Sequence, residues 1–419
     1  MKAETRRQQA LSPERFDDGS VGVYLHLPFC DRICPYCDFA VVAARPLESA
    51  VEARYVAGLQ SELIARRPDF QGRALASIYF GGGTPSLFRP ESIRTLVEAV
   101  RDAFPLRGAA EIETTLELNP STLEQARLPA LREARVNRLS IGIQSFDDAQ
   151  LKRLGRAHRA PVARSTLRAA RAAGFDNLSI DLIFAGPRQS AMDLDRDLDE
   201  LLEWSPEHIS TYELTFEPET PFGRALAAGR MEACDEDRAA DMIGQIETRL
   251  EGAGFERYEI SSYARPGRRA SHNARYWQRQ AVLGLGLGAH STEARSPDRP
   301  HGGRRANPRQ LASWQAGLAA NAAEVGQVEI LSVETARGEA VFLALRQREG
   351  LCARRFEAEF GGLPRAFYSR EIETVVARGW LLEGAWGDLR LSAEGRLMAD
   401  SVAAEFVMAE ADADTPTGN

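Results

Sequence analysis

The chain has 419 residues, 44% hydrophobic and 27% charged, enough to bury a large core and to divide into two domains. Its formal net charge is −8, and Lys2 and Lys152 are its only lysines; this excess of acid would repel a phosphate backbone and argues against nucleic acid as a partner. No apolar run approaches the roughly 18 residues of a membrane span, and Met1–Ser20 has no apolar signal core, so a cytoplasmic, reducing compartment is expected.

Residues 1–18 and 410–419 are expected as mobile tails. An apolar run over Val21–Leu27 predicts the first strand, which leads into the stretch His26–Phe39. Cys30, Cys34 and Cys37 lie there in a C-x3-C-x2-C spacing. Three such thiolates can hold a [4Fe–4S] cluster and leave one iron open, which marks a working metal site. A zinc site would need a fourth ligand; Cys234 and Cys352 are remote in sequence and His26 is nearer. An odd cysteine count without a secretory signal argues against a structural disulfide.

Further strands are predicted at Ala76–Phe80, Ile112–Leu118, Arg138–Ile143, Leu178–Phe184 and His208–Leu214. Between them run helical patterns: Val51, Tyr55, Leu59 and Leu63 share one face, as do Ile93, Leu96, Val97 and Val100. The alternation predicts an α/β fold with a parallel sheet, too short to close an eight-stranded barrel. Ligands of such folds bind at the C-terminal ends of the strands. Those ends carry Gly81-Gly-Gly-Thr84, Glu117, Gln144 with Arg156 beyond it, and Asp181. Glycines let a backbone approach a ligand closely, and a carboxylate ending an apolar run needs a partner, either a ligand or a structural arginine.

The Gly/Pro/Arg-rich stretch Ser296–Arg305 is expected as an exposed loop at a domain boundary. A barrel domain would then span 19–295, a loop and linker 296–326, and a smaller α+β domain 327–409. The last shows helices near Val333–Arg348, Ala353–Phe360 and Pro364–Arg378, a two-strand wing (Trp380–Leu382, Leu389–Leu391) and a helix Ala393–Val407, a winged-helix-like order. That final helix has one arginine against three acids, which favours a packing or lid role over DNA binding.

Together the cysteine loop, Gly81-Gly-Gly-Thr-Pro85, Glu117-Leu-Asn-Pro120, Ser140–Phe146, Leu154–His158 and Ile180–Ile183 resemble the coproporphyrinogen III oxidase-like branch of the radical S-adenosylmethionine (SAM) superfamily. The resemblance runs from Val21 to Phe406. It implies a partial (β/α)6 barrel, a [4Fe–4S] cluster on Cys30, Cys34 and Cys37, and SAM contacts at Tyr24, Tyr36, Gly82, Gly83, Thr84, Glu117, Gln144, Arg156 and Asp181. Within that branch the oxygen-independent coproporphyrinogen III dehydrogenases carry a further cysteine two residues after the third; here Phe39 stands there. Ser271–Trp277 and Gly284–Ser291 are instead similar to motifs of the HemW-type haem chaperones. That likeness implies haem contact by His272, Tyr276 and Trp277, with His290 as second candidate; a hydrogen-bonded loop histidine and core aromatics are the plainer alternative. The implied function is binding of cluster, SAM and haem, and delivery of haem to acceptors such as respiratory haem enzymes, some of them membrane-associated. A low-potential electron donor is a further implied partner, and the chain itself is expected as a monomer or weak homodimer. The dehydrogenase, or an enzyme acting on another tetrapyrrole, is the alternative.

Overall fold

The computed structural model describes residues 17–106 and 111–413. Most of both expected tails lies outside these residues. Asp17 and Asp18, placed in the first tail, are instead tied down by Arg73 (2.6 Å) and Arg275 (3.3 Å).

Six parallel strands form the heart of the molecule: β1 (Ser20–Leu27), β2 (Ala74–Gly82), β3 (Glu113–Leu118), β4 (Arg138–Gln144), β5 (Leu178–Phe184) and β6 (His208–Glu213). Each expected strand is present, with ends moved by a residue or two. Their side chains alternate. Val23, Leu25, Ile78, Phe80, Leu116, Leu139, Ile141, Ile180 and Ile209 form one buried cluster with helix residues. The alternate positions Tyr24, Tyr79, Glu117, Ser140 and Asp181 carry polar groups, several bonded to one another. This is the pattern of a barrel whose interior holds a ligand cavity instead of packed aliphatic layers.

Helices cover the apolar face. α1 (Ser49–Arg66) buries Tyr55, Leu59 and Leu63, while Val51 in its first turn is only half-buried. α2 (Pro90–Ala103) starts at proline, which needs no N–H partner there, and buries Ile93, Leu96, Val97 and Val100 as their spacing predicts. Among the described residues no helix is long and apolar enough to cross a membrane.

The sheet continues past the six strands. β6 is extended by two short strands, β7 (Glu256–Arg257) and β8 (Ser262–Ala264). β1 is extended by β9 (Val282–Leu285), β10 (His290–Glu293), β11 (Gly303–Ala306) and β12 (Gln327–Ile330). This corrects the loop and linker expected over 296–326. That segment holds β11 and a helix, Leu311–Asn321, whose Trp314 is fully buried and donates its indole N–H to Glu62 (3.1 Å). β11 escapes an apolar pattern because a cation anchors it: Arg305 pairs with the buried Glu293 (3.0 Å).

Beyond β12 lies a second core built on Val341, Leu345, Phe356, Tyr368, Ile372, Leu389 and Phe406. Its helices Val333–Leu345, Ala353–Phe360 and Pro364–Ala377 and its hairpin Leu381–Glu383/Leu389–Leu391 match the expected order. The last helix, expected unbroken over Ala393–Val407, is interrupted at Met398 into Ala393–Leu397 and Ala399–Ala413.

Candidate functional site

A cavity of about 500 Å³ opens at the C-terminal end of the barrel. Cys30, Cys34, Cys37, Tyr36, Gly82, Gly83, Glu117, Gln144, Arg156 and Asp181 all line it, residues scattered over some 150 positions of sequence. Among the described residues, none beyond Glu217 lines it, so the C-terminal helices contribute nothing to its wall.

The cysteine loop hangs from the end of β1. Cys30 is buried within 3.6 Å of the Thr84 hydroxyl, and burial pushes its thiol up to about 11. Cys37 is likewise raised by burial, with the Phe39 N–H drawing it back, and its own N–H donates to the Cys34 carbonyl (3.1 Å). Thiols in this state surrender their protons to a metal and not to water. Among the described residues no three ligating side chains are drawn up tightly enough for a single metal ion. A four-iron cube spreads its thiolates wider than one ion does, and the donor set, three cysteines on one short loop over an open cavity, fits a cluster.

His26 secures this loop. Its Nε2–H donates to the Ala40 carbonyl (2.8 Å) and its Nδ1 accepts from Tyr24 (3.0 Å), which fixes the tautomer. Burial draws its imidazole down to about 4, so it stays neutral. In the sequence His26 stands out only as the nearer candidate for a fourth ligand. Tyr24, expected at SAM, lies outside the cavity lining and serves His26; Thr84 likewise serves Cys30 and Asn119 (2.8 Å).

A set of polar groups lines the same cavity as the cysteines. Glu117 accepts from the Tyr79 hydroxyl (2.8 Å) and the Gly82 N–H (3.1 Å), and burial raises it to about 7. Asp181, also raised by burial, accepts from Ser140 (2.9 Å) and Ser179 (3.2 Å). Arg156 donates to the Gly142 carbonyl (2.8 Å) and to Asn119, and its guanidinium lies 3.3 Å from the Cys34 sulfur. Gln144 takes a left-handed backbone (φ 68°) at the strand end, a conformation that costs energy in a residue with a Cβ. Its Oε1 and the Nε of Arg156 are buried without a hydrogen-bond partner. Orphaned polar atoms beside a cavity are the mark of a ligand that satisfies them. Tyr79, Asn119 and Ser140 were not singled out from the sequence; the alternation of polar and apolar residues on each strand was the signal that could have found them.

The haem residues expected from the sequence separate. His272 is buried at the opposite end of the barrel: its Nδ1 bonds the Ser77 hydroxyl (2.9 Å), its Nε2 faces the Tyr276 hydroxyl (3.4 Å), and its ring packs against Tyr79 (5.1 Å). The backbone N–H groups of Ser271 and His272 donate to Glu113 at the start of β3 (3.1 and 3.0 Å). Tyr276 closes this base, and Trp277 meets the C-terminal domain through Gln347 (3.1 Å) and Arg346. An axial ligand must reach the iron, and His272, 1% exposed and engaged at both nitrogens, does not. Only His290, first residue of β10, is exposed. His158 and His208 hold backbone and core partners, as expected of structural histidines.

Two families match the chain: the Radical SAM superfamily over residues 24–201, and the HemN C-terminal domain over 331–398. Heme chaperone HemW of Mycobacterium tuberculosis (strain H37Rv) is 34% identical over 381 residues, covering 91% of this chain and 93% of that protein. Heme chaperone HemW of Bacillus subtilis (strain 168) is 29% identical over 387 residues, 92% of this chain and 98% of its own length. The solved structure of the Escherichia coli coproporphyrinogen III oxidase HemN, a radical SAM enzyme, superposes with a TM-score of 0.78 over 96% of this chain and 92% of that one. At 21% identity that likeness is one of fold.

Proposed function

The chain belongs to the HemW-type family of radical SAM proteins, and from that premise we propose that it is a haem chaperone, holding a [4Fe–4S] cluster and SAM in the barrel cavity, binding haem, and passing haem to acceptor proteins. The observation that carries the cofactor part is the convergence on one cavity of three cysteines with the orphaned Gln144 Oε1 and Arg156 Nε. Cys30, Cys34 and Cys37 would hold the cluster, whose chemistry is one-electron reduction with one iron left open to SAM. Glu117 and Asp181 would meet cationic or hydroxyl groups of SAM, Arg156 its carboxylate, and Tyr36 its adenine. Such a cluster requires a low-potential electron donor. Phe39 supports the chaperone over the dehydrogenase, since no thiol stands two residues after Cys37.

The test is anaerobic reconstitution followed by two assays. Haem should bind with a shifted Soret band, and coproporphyrinogen III with SAM and reductant should be recovered unchanged. Formation of protoporphyrinogen would replace the chaperone with the dehydrogenase. Alanine at Cys30, Cys34 or Cys37 should abolish the broad cluster absorbance, and alanine at Cys234 or Cys352 should leave it intact.

A further inference from the structure

Behind Asp181 a line of hydrogen bonds runs from the cavity into the barrel wall. Ser140 and Ser179 stand side by side on β4 and β5, Ser179 and His208 side by side on β5 and β6, and Asp181 lies one step further along the same face of β5. Asp181 accepts from Ser140 (2.9 Å) and Ser179 (3.2 Å). The Ser179 hydroxyl meets His208 Nδ1 (2.8 Å), and His208 Nε2 meets the Tyr258 hydroxyl (2.8 Å). Ser140 and Asp181 line the cavity; Ser179, His208 and Tyr258 do not, and each is at most 3% exposed.

The order of donors follows from Asp181. A carboxylate only accepts, so the single Ser179 proton goes to it. The Ser179 oxygen then accepts from Nδ1–H, which leaves the lone pair of Nε2 for the Tyr258 O–H. We propose that His208 is a positioning residue for Asp181: with Tyr258 fixing its tautomer, it aims the Ser179 hydroxyl at Asp181 and so holds Asp181 as the carboxylate that receives a cationic or hydroxyl group of SAM. The inference rests on the reading of the cavity as a SAM site. It gives a buried histidine that touches no ligand a part in binding one. Burial keeps the His208 ring neutral, so it has one proton to place. Without Nδ1–H the Ser179 hydroxyl is free to turn away. Asp181, already raised by burial, then loses a donor and takes up its proton at a higher pH.

The experiment is anaerobic calorimetry of SAM against the reconstituted full-length protein from about pH 6 to about pH 8.5, with circular dichroism as the check on folding. His208→Leu should weaken SAM about tenfold relative to wild type at about pH 6, and by much less at about pH 8.5, where Asp181 is ionised in both. His208→Asn, whose amide can donate to Ser179 from the place of Nδ1–H, should restore most of the loss; His208→Gln, which reaches toward Tyr258 instead, should not. Ser179→Ala should repeat the profile of His208→Leu without removing a buried ring, and carries the test if that variant does not fold. On an Asp181→Asn background His208→Leu should add nothing. Glu117, Arg138, Tyr79 and Tyr212, which bear on Asp181 from the neighbouring strands, are common to all these proteins and cancel in the ratios. Equal losses in the three His208 variants at every pH, a wild-type profile in Ser179→Ala, or an additive loss on the Asp181→Asn background would reduce His208 to packing while the SAM reading stood. No loss in Asp181→Asn alone would overturn the place of Asp181 at SAM and this inference with it.

Discussion

Burial holds the Glu117 carboxyl at about 7, with the Tyr79 hydroxyl and the Gly82 N–H drawing it down and the Asp181 charge opposing them. The folded chain thus keeps this proton more tightly than the unfolded chain, whose glutamate titrates near 4.5. For a carboxyl raised by folding, the contribution to stability is full at low pH and is lost as pH climbs from about 4.5 to about 7. Glu117 alone thus favours about pH 5.5 over about pH 8, while His26, His158, His208 and His272, all buried neutral, favour the higher pH. Glu117→Gln, compared with wild type, should therefore gain melting temperature at about pH 8 relative to about pH 5.5; the histidines and Asp197, raised by burial to about 6, act alike in both proteins and cancel in the comparison. SAM binding should run the other way, weakening below about pH 7 as Glu117 takes up its proton. Glu117→Gln and Asp181→Asn should each weaken SAM by about 1–3 kcal/mol in anaerobic calorimetry while iron content holds; unchanged affinity in both would mean the pocket binds something else. His272→Ala is a different case. It strands the Ser77 hydroxyl and opens a hole among Tyr24, Tyr79 and Tyr276, at a cost of about 2–4 kcal/mol in denaturant unfolding.

The glycine run works as part of a strand, not as a loop beyond it. β2 extends through Gly82, whose φ of 111° suits only glycine and whose Cβ, if present, would sit 2.5 Å from His26. Gly83 packs so closely that a Cβ would meet the Pro28 carbonyl at 2.6 Å. The turn therefore clamps His26 and, through its bond to Ala40, the far end of the cysteine loop. Gly82→Ala should displace that imidazole and lower the iron bound per chain after reconstitution, and His26→Ala should do the same without backbone strain. A full iron complement in both would show that the cysteines assemble without the clamp. Gly244, inside helix Glu236–Gly252 with open space where its Cβ would lie, is the contrast. Alanine there should raise stability by about 0.5–1 kcal/mol, because only the entropy of glycine is removed.

The two cores are joined by a charged seam. Arg279 pairs with Glu339 (2.8 Å) and Glu359 (2.7 Å), Arg295 also reaches Glu359 (2.6 Å), and Arg304 also reaches Glu339. Arg396 adds a second tie to Glu247 (2.6 Å). Removing one member of a buried pair commonly costs about 3–5 kcal/mol, but here each glutamate keeps another arginine, so Arg279→Ala should cost nearer 1–3 kcal/mol. Amide exchange should quicken over Val333–Ala377, and SAM affinity should not change, because the cavity takes no lining from that domain. Altered SAM binding would show that the domain acts on the cavity from a distance.

Much of this was legible before folding. The C-x3-C-x2-C spacing marks a cluster because the ligands are local, and the strand and helix periods mark an α/β barrel because each is set by nearest neighbours along the chain. Ten of the residues expected at the cluster and SAM do converge on one cavity, since strand ends of a parallel barrel share one rim. What sequence leaves open is contact between distant segments. Arg305 and Glu293 turn an arginine-rich stretch into a sheet strand, a long-range ion pair that no apolar period announces. His272 and His290 are alike as residues in neighbouring motifs, yet packing seals one beneath Tyr24 and Tyr79 and leaves the other at the surface. Whether an imidazole can reach iron depends on burial, and burial is a property of how the elements stack.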